Sequence, residues 1–180
     1  MAVTIVIEDG TASTPSANSY VTVAEVTLFC NDLGLSSWAD LDSQEKAQAI
    51  LRGMAYVESL DFKGVKDDYS NPLEWPRYGV YDDVNAEPED MQYYQEIPVG
   101  LKKAVCRAAY EESVSSGILQ TSLTTGIKRE KVDVIEVEYQ QAPMRSASQT
   151  LYPAITGYLK GLLKSSVIGG GSSVVNVLRT

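Results

Sequence analysis

The chain has 180 residues, 44% hydrophobic and 22% charged, with 15 Lys and Arg against 24 Asp and Glu for a formal charge of −9. That length suits one domain taking on the order of 70% of its unfolded surface out of water, and the composition is that of an ordinary soluble globular protein rather than a disordered one. There is no histidine, which removes the usual general base of Ser and Cys nucleophile systems and the commonest zinc ligand, and the negative field repels phosphate at long range.

The first element in chain order is a short strand over residues 3–7, Val-Thr-Ile-Val-Ile, followed by turn chemistry from Gly10 to Pro15. Thr22 and Glu25 match a capping box, and Val23, Val26, Phe29, Cys30 and Leu33 repeat at helical spacing up to Gly34, so a first helix is predicted over 22–33. A second box, Asp42 with Glu45, opens a longer helix ending near Leu60, whose apolar stripe runs through Ala47, Ile50, Leu51, Met54 and Val57 or Glu58. Gly64, Pro72, Pro76, Gly79 and Pro88 then break the chain into an irregular insertion. From Tyr78 to Leu101 it holds no Lys or Arg, but Asp82, Asp83, Glu87, Glu89, Asp90 and Glu96, giving an acidic loop decorated by Tyr78, Tyr81, Tyr93 and Tyr94.

Pro98 opens a third helix with a core face of Leu101, Ala104, Val105, Ala108 and Ala109, closed by Gly117. The small alanines predict close approach by another helix. Residues 127–139 switch to period two with a phase slip at Ile135, read as a bulged strand. A last helix is predicted from Pro153 to about Lys164, with Ile155, Leu159, Leu162 and Leu163 inward. Gly169-Gly170-Gly171-Ser172-Ser173 is a flexible linker before the β-prone end Val174-Val175-Asn176-Val177-Leu178-Arg179. The expected architecture is mainly α: an N-terminal strand and loop over 1–18, a compact helical bundle with a small β-element over 19–168, and an extended C-terminal arm over 169–180.

No carboxylate pair, phosphate-binding glycine loop or calcium loop is recognisable, so no catalytic residue, metal site or cofactor is assigned and an enzyme is not expected. Cys30 and Cys106 lie in apolar helical patterns and read as buried free thiols. No apolar run nears the roughly 20 residues that span a bilayer, and the start lacks a basic-then-apolar leader, so neither membrane insertion nor export is expected. Trp75-Pro76-Arg77 reads either as a loop anchor, with the indole on the core and Arg77 paired to a carboxylate, or as an inter-subunit anchor, since Trp and Arg dominate interface hot spots. Lys128, Arg129 and Lys131 form the best basic patch. It serves as phosphate contact, as protection of a strand edge, or as a complement to the acidic loop of a neighbouring copy. Val174, Val175, Val177, Leu178 and Arg179 are placed to add a strand to a partner's sheet, the other reading being that they fold back onto their own domain.

Ala17-Asn18-Ser19-Tyr20-Val21, then Leu73-Glu74-Trp75-Pro76-Arg77, then Ile97-Pro98-Val99 form an ordered signature across the chain. In order and spacing it resembles the head–tail adaptor, or connector, proteins of tailed bacteriophages, a group labelled DnaT-like after a single-stranded-DNA-binding relative. The signature falls on Asn18, Ser19, Tyr20, Leu73, Trp75, Pro76, Arg77, Ile97 and Pro98, and the glycine linker and Arg179 match the family's C-terminal pattern. The acidic insertion after Arg77 departs from it. The resemblance implies a non-enzymatic virion protein made in the host cytoplasm and sited in the neck between capsid and tail. Its implied partners are the portal protein, engaged by the C-terminal arm, neighbouring copies in a homo-oligomeric ring of about twelve to match a portal ring, and a downstream tail or stopper protein. Genomic DNA would pass through the ring without sequence-specific binding. The alternative that the label carries is a single-stranded-DNA-binding replication protein.

Overall fold

Capping chemistry sets the first two helices where the sequence places them. In the computed structural model, which describes residues 3–10, 14–80, 92–94, 96–117, 119, 130–132, 135–137 and 151–164, helix α1 runs Val23–Asp32 and α2 runs Ser43–Glu58. Each carries a complete box. Thr22 Oγ1 accepts from Glu25 N and Glu25 returns to Thr22 N, while Asp42 and Glu45 do the same for α2, satisfying amide donors that have no partner inside the helix. Gly34 closes α1 at φ +68°. Leu33, expected on the buried stripe, is 49% exposed because it is the C-cap residue, where the chain turns off the helix.

Helix α3, Val99–Val114, follows Pro98, which stands at the N-cap and accepts from Lys102 N. Its predicted core face is buried throughout, and the alanines meet α2 as expected. The closeness is measurable at Gly53. A Cβ there would lie 2.7 Å from Ala109 N and 2.9 Å from Ala108 C, and backbone atoms cannot swing aside as a side chain would. Gly53→Ala is therefore expected to destabilise by up to about 2 kcal/mol net in guanidine unfolding, overpacking of about 1–3 kcal/mol set against a helix-propensity gain near 1 kcal/mol.

The molecule is mainly helical, and four sequence expectations for the remaining elements change. Residues 3–7 form no strand of their own but one parallel bridge, Ile7 to Ser19, because the Asn18 side chain takes over part of the pairing. The region between α2 and α3 is not wholly irregular. It contains an antiparallel sheet in the order β1 (Val65–Lys66), β2 (Arg77–Val80) and β3 (Gln92–Tyr94). Strands this short leave no readable period, and Gly79 at φ +72° sits in the irregularity between Tyr78 and Val80. The bulged strand is instead a hairpin, β4 (Glu130–Val132) paired with β5 (Ile135–Val137), so the phase slip at Ile135 marks the start of a second strand.

The last helix is shorter than its apolar pattern. Helix α4 covers Pro153–Thr156 and gives way to a 3-10 turn, Gly157–Leu159. Gly157 and Gly161, the latter at φ +93°, favour departure from the helix. The inward residues are nonetheless correct, with Ile155, Leu159, Leu162 and Leu163 all in the core beside Leu101 and Val105. Beyond the turn, Leu163 pairs antiparallel with Phe62.

Candidate functional site

The first two signature segments meet in one hydrogen-bonded network, and Ile97 of the third enters the same core. At the N-terminus, Val6 N donates to Asn18 Oδ1 at 2.8 Å, Asn18 Nδ2 to Thr4 O at 2.9 Å, and Asn18 N to Val6 O at 2.9 Å, so Asn18 pins the leading segment as a strand neighbour would. Ser19 Oγ donates to Val21 O at 2.8 Å and fixes the turn into α1. Tyr20, fully buried, donates its phenol to Glu58 Oε1 at 2.6 Å and accepts from Trp75 N at 3.0 Å. Glu58 Oε2 accepts from Glu74 N at 2.7 Å. One tyrosine and one glutamate thus hold the first signature segment, the end of α2 and the second signature segment together.

Electrostatics follow from that burial. Burial pushes the Glu58 carboxyl above its ordinary value, against the lowering effect of the Tyr20 and Glu74 hydrogen bonds. Burial also raises the Tyr20 phenol well above its usual range, and the facing Glu58 charge adds to it. Glu8, a fully buried carboxylate, accepts from Gly10 N, Thr14 N and Asn71 Nδ2 at 2.9, 3.2 and 3.1 Å, so its lone pairs are satisfied in the way buried charge requires. Asn71 Nδ2 also reaches Trp75 O at 3.3 Å.

Trp75 is fully buried and packs edge-on against Phe62 with ring centroids 5.7 Å apart. Pro76 is half-buried after a cis Trp75–Pro76 bond. Arg77, 6% exposed, spreads its guanidinium across Glu74 Oε2 at 2.6 Å, Lys63 O at 2.8 Å and Gly64 O at 3.0 Å, and lies over the Phe62 ring at 5.9 Å. Lys63 N in turn donates to Leu162 O at 2.8 Å, and Lys164 N to Asp61 O at 3.0 Å, flanking the Phe62–Leu163 bridge. Ile97 is buried in the same core and Pro98 starts α3.

Lys131 lies in β4 opposite Glu136, while Lys128, Arg129 and the arm residues Val174, Val175, Val177, Leu178 and Arg179 lie outside the described residues. So do Asp82, Asp83, Glu87, Glu89 and Asp90. The backbone on either side of that loop pairs as a hairpin, with Tyr78 opposite Tyr93 and Arg77 opposite Tyr94.

Sequence reasoning missed Glu58, Phe62, Glu8 and Glu112. Glu58 carried a signal, a carboxylate in register with an apolar stripe. Glu112 is fully buried, pairs with Arg52 Nε at 3.0 Å and accepts from Gly117 N and Leu119 N at 2.6 and 2.9 Å, tying off the C-terminal end of α3. Among the described residues no group of three His, Cys, Asp or Glu is placed to hold a metal, and no helix is long and apolar enough to cross a membrane. Cys30 and Cys106 are buried free thiols, pushed by burial up to about 11 and about 12. Ellman's reagent at pH 8 is expected to leave both unreacted in the native protein and to titrate both in guanidine.

The family model described as "Putative DnaT-like ssDNA binding protein" matches residues 3–180. No curated protein and no solved structure matches the chain. The match takes in all three signature segments, the network that joins them and everything after it, and on that extent the chain belongs to the DnaT-like family.

Proposed function

We propose that this protein is a head–tail adaptor of a tailed bacteriophage: a non-enzymatic virion protein that forms a ring on the portal, continues the DNA channel toward the tail, and holds the portal through its C-terminal arm. The observation that carries the reading is the use of the signature. Its polar groups are spent on internal anchoring, Tyr20 on Glu58 and Arg77 on Glu74, Lys63 and Gly64, which builds a rigid platform rather than a reactive site. The platform presents apolar surface suited to a neighbouring copy. Val65 and Tyr78 pair across β1 and β2 and are 54% and 48% exposed, with Tyr69 at 83%, the residue types that recur at protein interfaces. The net charge of −9 suits a surface that DNA slides past.

A second reading, single-stranded-DNA binding, is favoured by the description of the family. Against it stands the state of the arginines. Each arginine among the described residues is already paired with a carboxylate, Arg52 with Glu112, Arg77 with Glu74 and Arg107 with Glu111, so phosphate would have to displace an internal partner.

Co-sedimentation with the portal ring of the same virion, counted by mass photometry, separates the two. About twelve copies per ring is the adaptor outcome, the number that ring symmetry matching requires. No portal binding, with log affinity for oligonucleotides falling linearly in log salt and lost on replacing Lys128, Arg129 and Lys131 by Ala, is the outcome of DNA binding.

A further inference from the structure

We infer that Arg77 and Trp75 are positioning residues for the C-terminal tail: through Phe62 and the carbonyls of Lys63 and Gly64 they fix the seat on which residues 162–164 pair, and so set where and in which direction the tail leaves the core. The inference rests on the adaptor reading only for the tail's task, not for the seat. Segment 61–64 has no helix or strand ladder of its own to hold it. Its shape comes from Arg77, whose Nε and Nη2 take the carbonyls of Lys63 and Gly64 while Nη1 is held by Glu74. Its side-chain anchor is Phe62, 2% exposed, gripped by the Trp75 edge and the Arg77 face.

While Arg77 holds the carbonyls of Lys63 and Gly64, Lys63 N donates to Leu162 O at 2.8 Å and Asp61 O accepts from Lys164 N at 3.0 Å. Lys164 is followed by Ser165-Ser166-Val167-Ile168 and then by the Gly169-Gly170-Gly171 linker. Trp75 and Arg77 of the signature therefore hold the seat on which Leu162–Lys164 pair. Only a planar fork can reach two successive carbonyls and a carboxylate at once; an ammonium at 77 can hold one or two of them.

The test is hydrogen exchange on the full chain, read peptide by peptide, for wild type and Arg77→Lys. The expected result is exchange at least tenfold faster in peptides covering 61–64 and 162–164, with Ser43–Glu58 and Val99–Val114 within twofold of wild type. Unchanged exchange at 162–164, or one uniform acceleration across all peptides, overturns the inference, the second because it shows a global stability role. If Arg77→Lys does not fold, Phe62→Leu, which keeps apolar bulk but removes the ring, is read by the same criteria. Portal co-sedimentation of the same variant is scored separately. Faster exchange at the seat with unimpaired portal binding sinks the arm's role in attachment and leaves the seat standing; loss of portal binding without any change at the seat sinks the seat.

Discussion

Replacing Tyr20 with phenylalanine is expected to lower the unfolding free energy by about 3 kcal/mol, measured by guanidine unfolding at pH 8. Two interactions go at once. Trp75 N loses the phenol oxygen it donates to, a hydrogen bond of about 0.5–1.5 kcal/mol, and the Glu58 carboxylate loses a charge-assisted bond of about 1.5–3 kcal/mol. The ring itself still fits, so no cavity term is added. The loss also depends on pH, and its sign follows from Glu58. Burial already holds that carboxyl above its unfolded value, and removing the phenol O–H raises it further. A raised acid contributes stability that is present below its unfolded pKa and lost as pH rises through the folded one. The variant therefore loses less at pH 4 than at pH 8, and a deficit equal at both pH values rules out the phenol–carboxylate bond as its source.

How far these features were legible depends on the range of the interaction that makes them. The capping boxes Thr22–Glu25 and Asp42–Glu45 span three residues and could be read directly. The alanine face of α3 predicted a close helix neighbour, though not that Gly53 would be the residue beneath it. The Tyr20–Glu58 network and the Arg52–Glu112 pair were illegible because their bonds join residues far apart in the chain, and no local period encodes such a partner. The signature residues could be named as an ordered set, but nothing in their spacing said that they meet.

The β-elements failed for a different reason. A period-two slip is produced equally by a bulge and by a tight connection, so the sequence pattern reads as one strand where β4 and β5 are two. The apolar spacing from Ile155 to Leu163 is the same whether the residues line a helix or a turn followed by an extended segment. Gly157 and Gly161 were the only local sign of the second.

Deleting residues 169–180 is expected to abolish attachment to the portal ring while leaving the helical circular-dichroism signal and melting temperature nearly unchanged. The core does not draw on those residues for any described contact: Tyr20, Trp75 and Arg77 close their network with Glu58, Glu74 and segment 61–64, and Leu162 and Leu163 complete the packing before Lys164. What the deletion removes is reach. The twelve deleted residues extend to about 40 Å at full stretch, and the apolar Val174, Val175, Val177 and Leu178 suit strand addition on a partner's sheet edge. Binding of that kind through main-chain hydrogen bonds tolerates side-chain change better than loss of the strand, so Val175→Ala should weaken attachment and Val175→Pro, which lacks the donor, should abolish it. A truncated protein that still loads the portal at full occupancy sinks the arm's role; one that fails to load because its core has melted would instead show that the tail folds back as part of the domain.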